Sequence, residues 1–387
     1  MSVSAPTDQP TTGIYIHIPF CQRKCRYCDF YSVTGQQRIP GYLGALHKEM
    51  QLTSTPGVKA DTLYIGGGTP SLLTPRQAGQ IVDWSAQYFN LEAGAEMTLE
   101  VNPATVTARD LQDYAAFGFN RISIGVQSFN DQHLTFLGRL HTADQALAAV
   151  KAAVKAGFIN IGLDLIYGLP DQTPGSWKAD LLQALRLEPR HMACYMLSYE
   201  AHTPLEADRR AGRIVPLSDL RTADLFRMTH DFLGAAGYEH YEISNFARGR
   251  RWRSIHNQKY WNFLPYIGLG PSAHSCRIPR RWWNHRTLER YMADLQQNRL
   301  PIAEQEQLSH EQRLIEALYL GLRQADGIDL QAFLFEFRID FKLYFHKALD
   351  RFAAEGWLVL ETQRCRLTME GMLFLDRIVD EMVELIG

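Results

Sequence analysis

The sequence predicts an α/β fold: a partial parallel (β/α)6 barrel followed by a smaller, mainly helical, winged-helix-like C-terminal domain. Three observations predict it. Six short apolar runs alternate with longer amphipathic stretches over the first two-thirds of the chain. Glycines and polar residues gather at the ends of those runs. From about residue 308 the pattern turns helical around one hairpin-like segment. Strands alternating with helices imply a parallel sheet covered by helices. A doubly wound sheet also fits, but polar residues at the ends of several strands favour a barrel, where such ends converge on one mouth.

The runs are "GIYIHIPF" (13–20), "DTLYIGGGTP" (61–70), "EMTLEVNP" (96–103), "RISIGVQSF" (121–129), "INIGLDLIYGLP" (159–170) and "HMACYMLSYE" (191–200). Each is rich in Ile, Leu, Val or Tyr, and most end at Gly or Pro, as strands do. Between them, "TARDLQDYAAFGF" and "TADQALAAVKAAVKAGF" read as helices, the second with Thr142 as N-cap and Gly157 as stop signal. Residues 1–12 are expected to be a disordered tail, 13–230 the barrel, 231–305 a connecting region rich in basic and aromatic residues, and 306–387 the C-terminal domain. In that last part "SHEQRLIEALYLGLRQADG", "DLQAFLFEF" and "DFKLYFHKALDRFAAEG" predict helices. "WLVLETQRCRLT" predicts a hairpin and "MEGMLFLDRIVDEMVELI" a final helix. These helices carry mixed charges and no basic stripe, which suits packing or partner docking better than DNA binding.

The chain has 387 residues, a formal charge of −2, 46% hydrophobic and 21% charged residues, the mixture of a soluble globular protein. Its near-neutral balance argues against a nucleic-acid partner. No apolar run approaches the ~18 residues of a membrane span. "MSVSAPTDQPTTG" lacks the basic and apolar segments of a signal peptide, so a cytoplasmic location is expected. Six cysteines then point to a reducing compartment, where clustered thiols mean metal or redox chemistry. Cys194, Cys276 and Cys365 stand singly and read as small buried apolar residues.

Cys21, Cys25 and Cys28 form C-x3-C-x2-C, and Phe30 stands where a fourth cysteine would be welcome. Zinc would need a histidine to complete a tetrahedron, and His17 lies at odds with zinc-ligand spacing. A [4Fe–4S] cube takes one cysteine per iron, so three leave one iron open to a small chelating molecule. "GGGTP" (66–70) follows a strand, and its glycines let backbone approach a ligand closely. It lacks the Lys-Ser/Thr of a P-loop. Glu100 and Asp164 suit an ammonium or ribose hydroxyl, and each equally reads as a strand-end cap.

The cysteine spacing resembles that of the radical S-adenosylmethionine (SAM) superfamily. With "YIHIPFC", "IGGGTPS", "GVQSF", "LGRLH" and "DLIYGLP" in this order, most of residues 14–200 resemble the oxygen-independent coproporphyrinogen III oxidase-like family. The resemblance implies that Cys21, Cys25 and Cys28 ligate a [4Fe–4S] cluster whose remaining iron SAM chelates. It implies SAM contacts for Tyr15, Gly67 and Glu100. Tyr27, Gly68, Thr69, Gln127, Arg139 and Asp164 match positions of a second SAM in the decarboxylase. No catalytic residue is assigned.

Two departures stand out. The decarboxylase has a further cysteine where Phe30 stands, and a long N-terminal extension where Tyr15 lies near the start. Together with "CDF" and "HNQKYW", these resemble the family's haem-chaperone branch. That branch implies haem binding and delivery to apo-haemoproteins such as respiratory enzymes, a homodimer, transient membrane association, and no nucleic-acid partner. In "RGRRWRSIHNQKYW", His256 is the candidate axial ligand, Trp252, Tyr260 and Trp261 the stacking walls, and Arg250, Arg251 and Arg253 the propionate partners. A histidine in an aromatic stretch equally reads as a hydrogen-bonded structural residue, and His274 and Cys276 are alternative donors. The alternative function is oxidative decarboxylation of coproporphyrinogen III by the same cluster and SAM residues.

Overall fold

The computed structural model describes residues 10–386. Strands β1 (Thr12–Ile18), β2 (Ala60–Gly67), β3 (Leu91–Val101), β4 (Arg121–Gln127), β5 (Asn160–Tyr167) and β6 (His191–Met196) pair in parallel in chain order. The crossovers carry α1 (Ile39–Thr53), α2 (Pro75–Phe89), α3 (Ala108–Ala116), α4 (Asp131–Leu137) with α5 (Ala143–Lys155), and α6 (Pro174–Leu185). Each expected run holds a strand. Because side chains alternate across a strand, one face of the sheet (Ile14, Ile16, Leu63, Ile65, Leu99, Ile122, Ile124) is buried with the helices. The other face lines the barrel interior with His17, Tyr64, Glu100, Ser123 and Asp164. Thr74, Thr107, Thr142 and Thr173 cap the starts of α2, α3, α5 and α6, each accepting from the third helical amide. Such caps contribute about 1 kcal/mol apiece. Thr142 is the expected cap, and Gly157 follows α5 at φ +95°, a conformation that suits glycine.

Two boundaries need correction. Thr12 belongs to β1, not to a tail; residues 1–9 lie outside the described residues. Residues 231–305 are not a connecting region but both edges of the barrel's own sheet. After α7 (Pro204–Arg210) and α8 (Asp219–Ala235), β7 (Glu239–Glu242) and β8 (Asn245–Ala247) add antiparallel strands beyond β6. The chain then passes through α9 (Ile255–Trp261) to β9 (Tyr266–Leu269), which pairs in parallel with β1. Strands β10 (His274–Arg277) and β11 (Arg280–Asn284), helix α10 (Leu288–Gln296) and strand β12 (Ile302–Gln307) complete a 12-stranded sheet. Its order is β12-β11-β10-β9-β1-β2-β3-β4-β5-β6-β8-β7.

The C-terminal part comprises α11 (His310–Leu322), β13 (Ile328–Asp329), α12 (Leu330–Phe337), α13 (Phe341–Tyr344), α14 (His346–Ala354), β14 (Leu358–Leu360), β15 (Arg364–Leu367), α15 (Met369–Met372) and α16 (Leu375–Val383). The expected hairpin is β14–β15, and β13 adds a third strand to it. Two helices expected to be continuous are broken. Phe345, fully buried, separates α13 from α14. Phe374, stacked on Trp357 at 4.3 Å, sits between α15 and α16. Ion pairs fasten this part to the barrel: Arg227 to Glu370 at 2.6 Å, Arg323 to Glu242 at 2.9 Å and Arg253 to Asp326 at 2.8 Å.

Candidate functional site

A cavity of about 1010 Å³ opens at the C-terminal ends of the parallel strands. Single ligand pockets run to roughly 300–1,000 Å³, so this one sits at the upper end. The cysteine loop after β1 forms one wall. It is pinned by backbone bonds from Cys21 to Val33 at 3.0 Å and from Arg26 to Leu137 at 3.3 Å. Arg23 donates to the carbonyls of Gly138 and Arg139 at 2.8 and 3.2 Å. All three thiols are free and line the cavity. Thr69 Oγ1 donates to Cys21 Sγ at 3.5 Å, and Arg139 Nη1 to Cys25 Sγ at 3.7 Å. Burial, with help from Cys25 and Cys21, pushes the Cys28 thiol up to about 11. Bound metal reverses that preference, because it deprotonates coordinating thiols. Among the described residues no three His, Cys, Asp or Glu side chains converge as a single-ion site requires. Three soft thiols around one wide cavity instead fit an iron–sulfur cluster.

The glycine run passes beside them. Gly67 has φ +110°, and a Cβ there would lie 2.7 Å from His17 Nδ1. At Gly68 a Cβ would meet the Phe20 carbonyl oxygen at 2.7 Å and Cys21 Sγ at 3.1 Å. Glycine is therefore required for backbone to come this close to the thiols. Glu100 accepts from Gly67 N at 3.2 Å and Tyr64 Oη at 2.8 Å. Burial pushes its carboxyl up to about 7, against the Tyr64 hydrogen bond. Asp164 accepts from Ser123 Oγ at 3.0 Å, and burial raises it to about 6. Arg139 Nη2 donates to the Gly125 carbonyl at 2.9 Å, while its buried Nε has no hydrogen-bond partner among the described residues. Gln127 closes β4 at φ +67°. Cys21, Cys25, Cys28, Tyr27, Gly67, Gly68, Thr69, Glu100, Gln127, Arg139 and Asp164 thus share one cavity. Tyr15 stands just behind, its hydroxyl 3.1 Å from His17 Nδ1.

The candidate haem stretch lies elsewhere. Helix α9 closes the base of the barrel, at the opposite strand ends. His256 is 1% exposed; its Nδ1 meets Thr62 Oγ1 at 2.8 Å and its Nε2 meets Tyr260 Oη at 2.8 Å. Burial, then Lys259 and Arg121, lower its pKa to about 3. Glu96 accepts from the amides of Ile255 and His256 at 3.2 and 3.0 Å. The Trp261 carbonyl accepts from Gln324, and Arg250 and Arg253 pair with Asp326, so these groups serve the seam with the C-terminal domain. The expectation that His256, Tyr260 and Trp261 hold haem is corrected on this geometry. A ring with both nitrogens engaged in a sealed layer has no donor to offer. Cys276, the other alternative donor, is buried as well.

Family models match Radical SAM superfamily over residues 15–184 and HemN C-terminal domain over residues 308–374. A protein of Lactococcus lactis named "Heme chaperone HemW" is 36% identical over 366 residues, 94% of this chain and 95% of that one. The chain belongs to the HemW family. The Escherichia coli member of the same name is 40% identical over 269 residues, covering 68% of this chain and 70% of its own. A solved structure described as coproporphyrinogen III oxidase (HemN) from Escherichia coli superposes with a TM-score of 0.84 at 24% identity. It covers 97% of this chain and 90% of its own, and shows that the fold is shared. HemW membership of the radical SAM superfamily implies a [4Fe–4S] cluster with SAM. No helix among the described residues is long and apolar enough to cross a membrane.

Several cavity residues escaped sequence reasoning: His17, Tyr64, Ser123, Tyr195 and Trp283. Strand alternation could have found three of them. Tyr64 stands two before Gly66, Ser123 two before Gly125, and His17 two after Tyr15, so each shares its neighbour's face. Trp283 gave no such signal, because its strand was not expected.

Proposed function

We propose that the protein is a haem chaperone that binds haem beside a [4Fe–4S] cluster and SAM and delivers it to apo-haemoproteins such as respiratory enzymes. The observation that carries this reading is the 36% identity over nearly the full chain to a protein named as a haem chaperone. The cysteine triad followed by Phe30 supports it. Cys21, Cys25 and Cys28 would hold the cluster, which together with SAM supplies one-electron chemistry. Gly67 and Gly68 let backbone amides approach SAM, and Glu100 accepts from its ammonium or ribose. Tyr27, Thr69, Gln127, Arg139 and Asp164 orient polar groups farther into the cavity, the unpaired Arg139 Nε offering a donor to an anion.

The second reading, oxidative decarboxylation of coproporphyrinogen III, is favoured by the large cavity with the SAM-side residues in place. One anaerobic experiment separates the two. Protein reconstituted with iron and sulfide is loaded with haem and mixed with an apo-haemoprotein, with and without SAM, while a parallel reaction receives coproporphyrinogen and reductant. Haem transfer without porphyrinogen turnover is expected. Robust protoporphyrinogen formation, or no transfer to any acceptor, would overturn the chaperone reading.

A further inference from the structure

The cavity is lined by two histidines, and they differ. His17 is 4% exposed and has both ring nitrogens engaged, by Tyr15 Oη at 3.1 Å and the Tyr31 carbonyl at 2.9 Å. His274, on β10, is exposed to the cavity, and its ring nitrogens have no hydrogen-bond partner among the described residues. It lies directly across the β10–β11 ladder from Trp283, and the two rings stack with centroids 5.5 Å apart at 23°.

This wall is rigidly built. The glycine before the turn has no room for a side chain, since a Cβ on Gly268 would lie 2.1 Å from the His274 carbonyl oxygen. Buried Glu49 accepts from Gly270 N at 2.8 Å and Tyr291 Oη at 2.6 Å, and also from Asn284 Nδ2. That carboxyl ties both ends of the 270–284 segment to α1 and α10. Around it stand apolar surfaces left open to the cavity: Phe30 is 67% exposed and Met196 56%. Two cavity arginines, Arg23 and Arg286, have no carboxylate partner among the described residues. Burial and the nearby Arg281 guanidinium lower the His274 pKa, which favours its neutral form. An unprotonated imidazole is the form that binds iron.

We propose that His274 is the axial haem ligand of this protein, with Trp283 backing the ring, Phe30 and Met196 as apolar walls, and Arg23 and Arg286 as partners for the propionates. The site is a tetrapyrrole subsite at the mouth of the cluster cavity, on the face of the barrel opposite His256. The inference rests on the chaperone reading for the identity of its ligand, and names a place and a donor that reading leaves open. An iron tetrapyrrole needs a flat apolar wall, a neutral nitrogen and cations for its carboxylates. Here the three stand around one opening.

The test is a titration of the full-length, cluster-reconstituted protein with ferric haem, followed by resonance Raman and visible difference spectra. His274→Ala should lose the iron–histidine signature and bind haem at least about tenfold more weakly. Its iron and sulfide content should stay at the wild-type level, which shows the barrel is intact. His274→Met should keep an axial donor with a shifted spectrum, and Met196→Leu, which keeps an apolar surface but removes the thioether, should keep histidine ligation even where it weakens haem uptake. An unchanged spectrum and affinity for His274→Ala would overturn this site while leaving the chaperone reading standing. A spectrum lost in Met196→Leu instead would move the ligand to the thioether and likewise overturn it. No haem uptake by the wild type would overturn the chaperone reading, and this site with it.

Discussion

The two ends of the barrel are made of similar side chains put to opposite uses. At the base, His256, Tyr260, Glu96 and Lys259 answer one another. His256 has both nitrogens engaged, Lys259 pairs with Asp61 at 2.7 Å, and Glu96 takes two amides of α9 with Arg121 at 3.9 Å. At the mouth, three thiols are free, Arg139 Nε is unpartnered and His274 faces open space. Buried polar groups cost several kcal/mol unless they are paired. A saturated network is therefore structural, and a group left open at a cavity is available for a ligand. Composition does not separate the two cases; pairing does.

The contrast can be broken most severely at the mouth. Cys28→Ser should abolish stable cluster assembly, read as iron and acid-labile sulfide after anaerobic reconstitution, because iron–sulfur clusters select thiolate over the harder hydroxyl. The fold itself should survive, since Cys28 sits in a loop. Wild-type iron content in that variant would contradict the assignment of the triad.

At the base the expected loss is of stability. His256→Ala strips Thr62 and Tyr260 of a partner and leaves a void against Tyr64, whose ring lies 5.1 Å away. Truncations of that kind cost about 2–4 kcal/mol, measurable by denaturant titration. Haem spectra of the protein that remains folded should be unchanged. A stable His256→Ala protein with an altered haem spectrum would return this residue to the ligand set.

A smaller effect tests the link between the two ends through Tyr64 and Glu100. With its pKa raised to about 7, Glu100 holds a proton below that pH in the ligand-free protein. The carboxylate is the form that accepts from an ammonium, so SAM affinity should rise with pH through the window around 7. Binding at pH 7 should release a proton, visible as calorimetric heats that depend on the buffer. Glu100→Gln should flatten the pH profile and weaken SAM roughly tenfold. A steep profile in Glu100→Gln would assign the titration to another group, Asp164 first.

Much of this site was legible because its signals are local. The C-x3-C-x2-C spacing lies within one loop and the glycine run at one strand end. Glu100, Gln127 and Asp164 stand in or at the ends of runs whose alternation marks them as strands. Thr142 and Gly157 bracket α5 by capping chemistry alone. What misled was "HNQKYW": a basic, aromatic stretch with a histidine has the composition of a haem pocket, yet it seals the barrel base. Strands β7 to β12 were missed for a related reason. Most are short, and β11 and β12, "RRWWN" and "IAEQEQ", carry no long apolar run. They are strands because the exposed sheet edges of β1 and β6 offer hydrogen bonds to them.

By itself the sequence determined that six parallel strands would form, which loop carries the thiols, and where backbone must approach them without a side chain. Those follow from strand alternation, sulfur spacing and the geometry of glycine, all of which act over a few residues. Tertiary structure alone decided which histidine is saturated and which faces the cavity. That choice depends on partners the fold brings in, Thr62 from nearly two hundred residues away for His256 and Trp283 across the ladder for His274, and a polar group's availability is set by what packs against it.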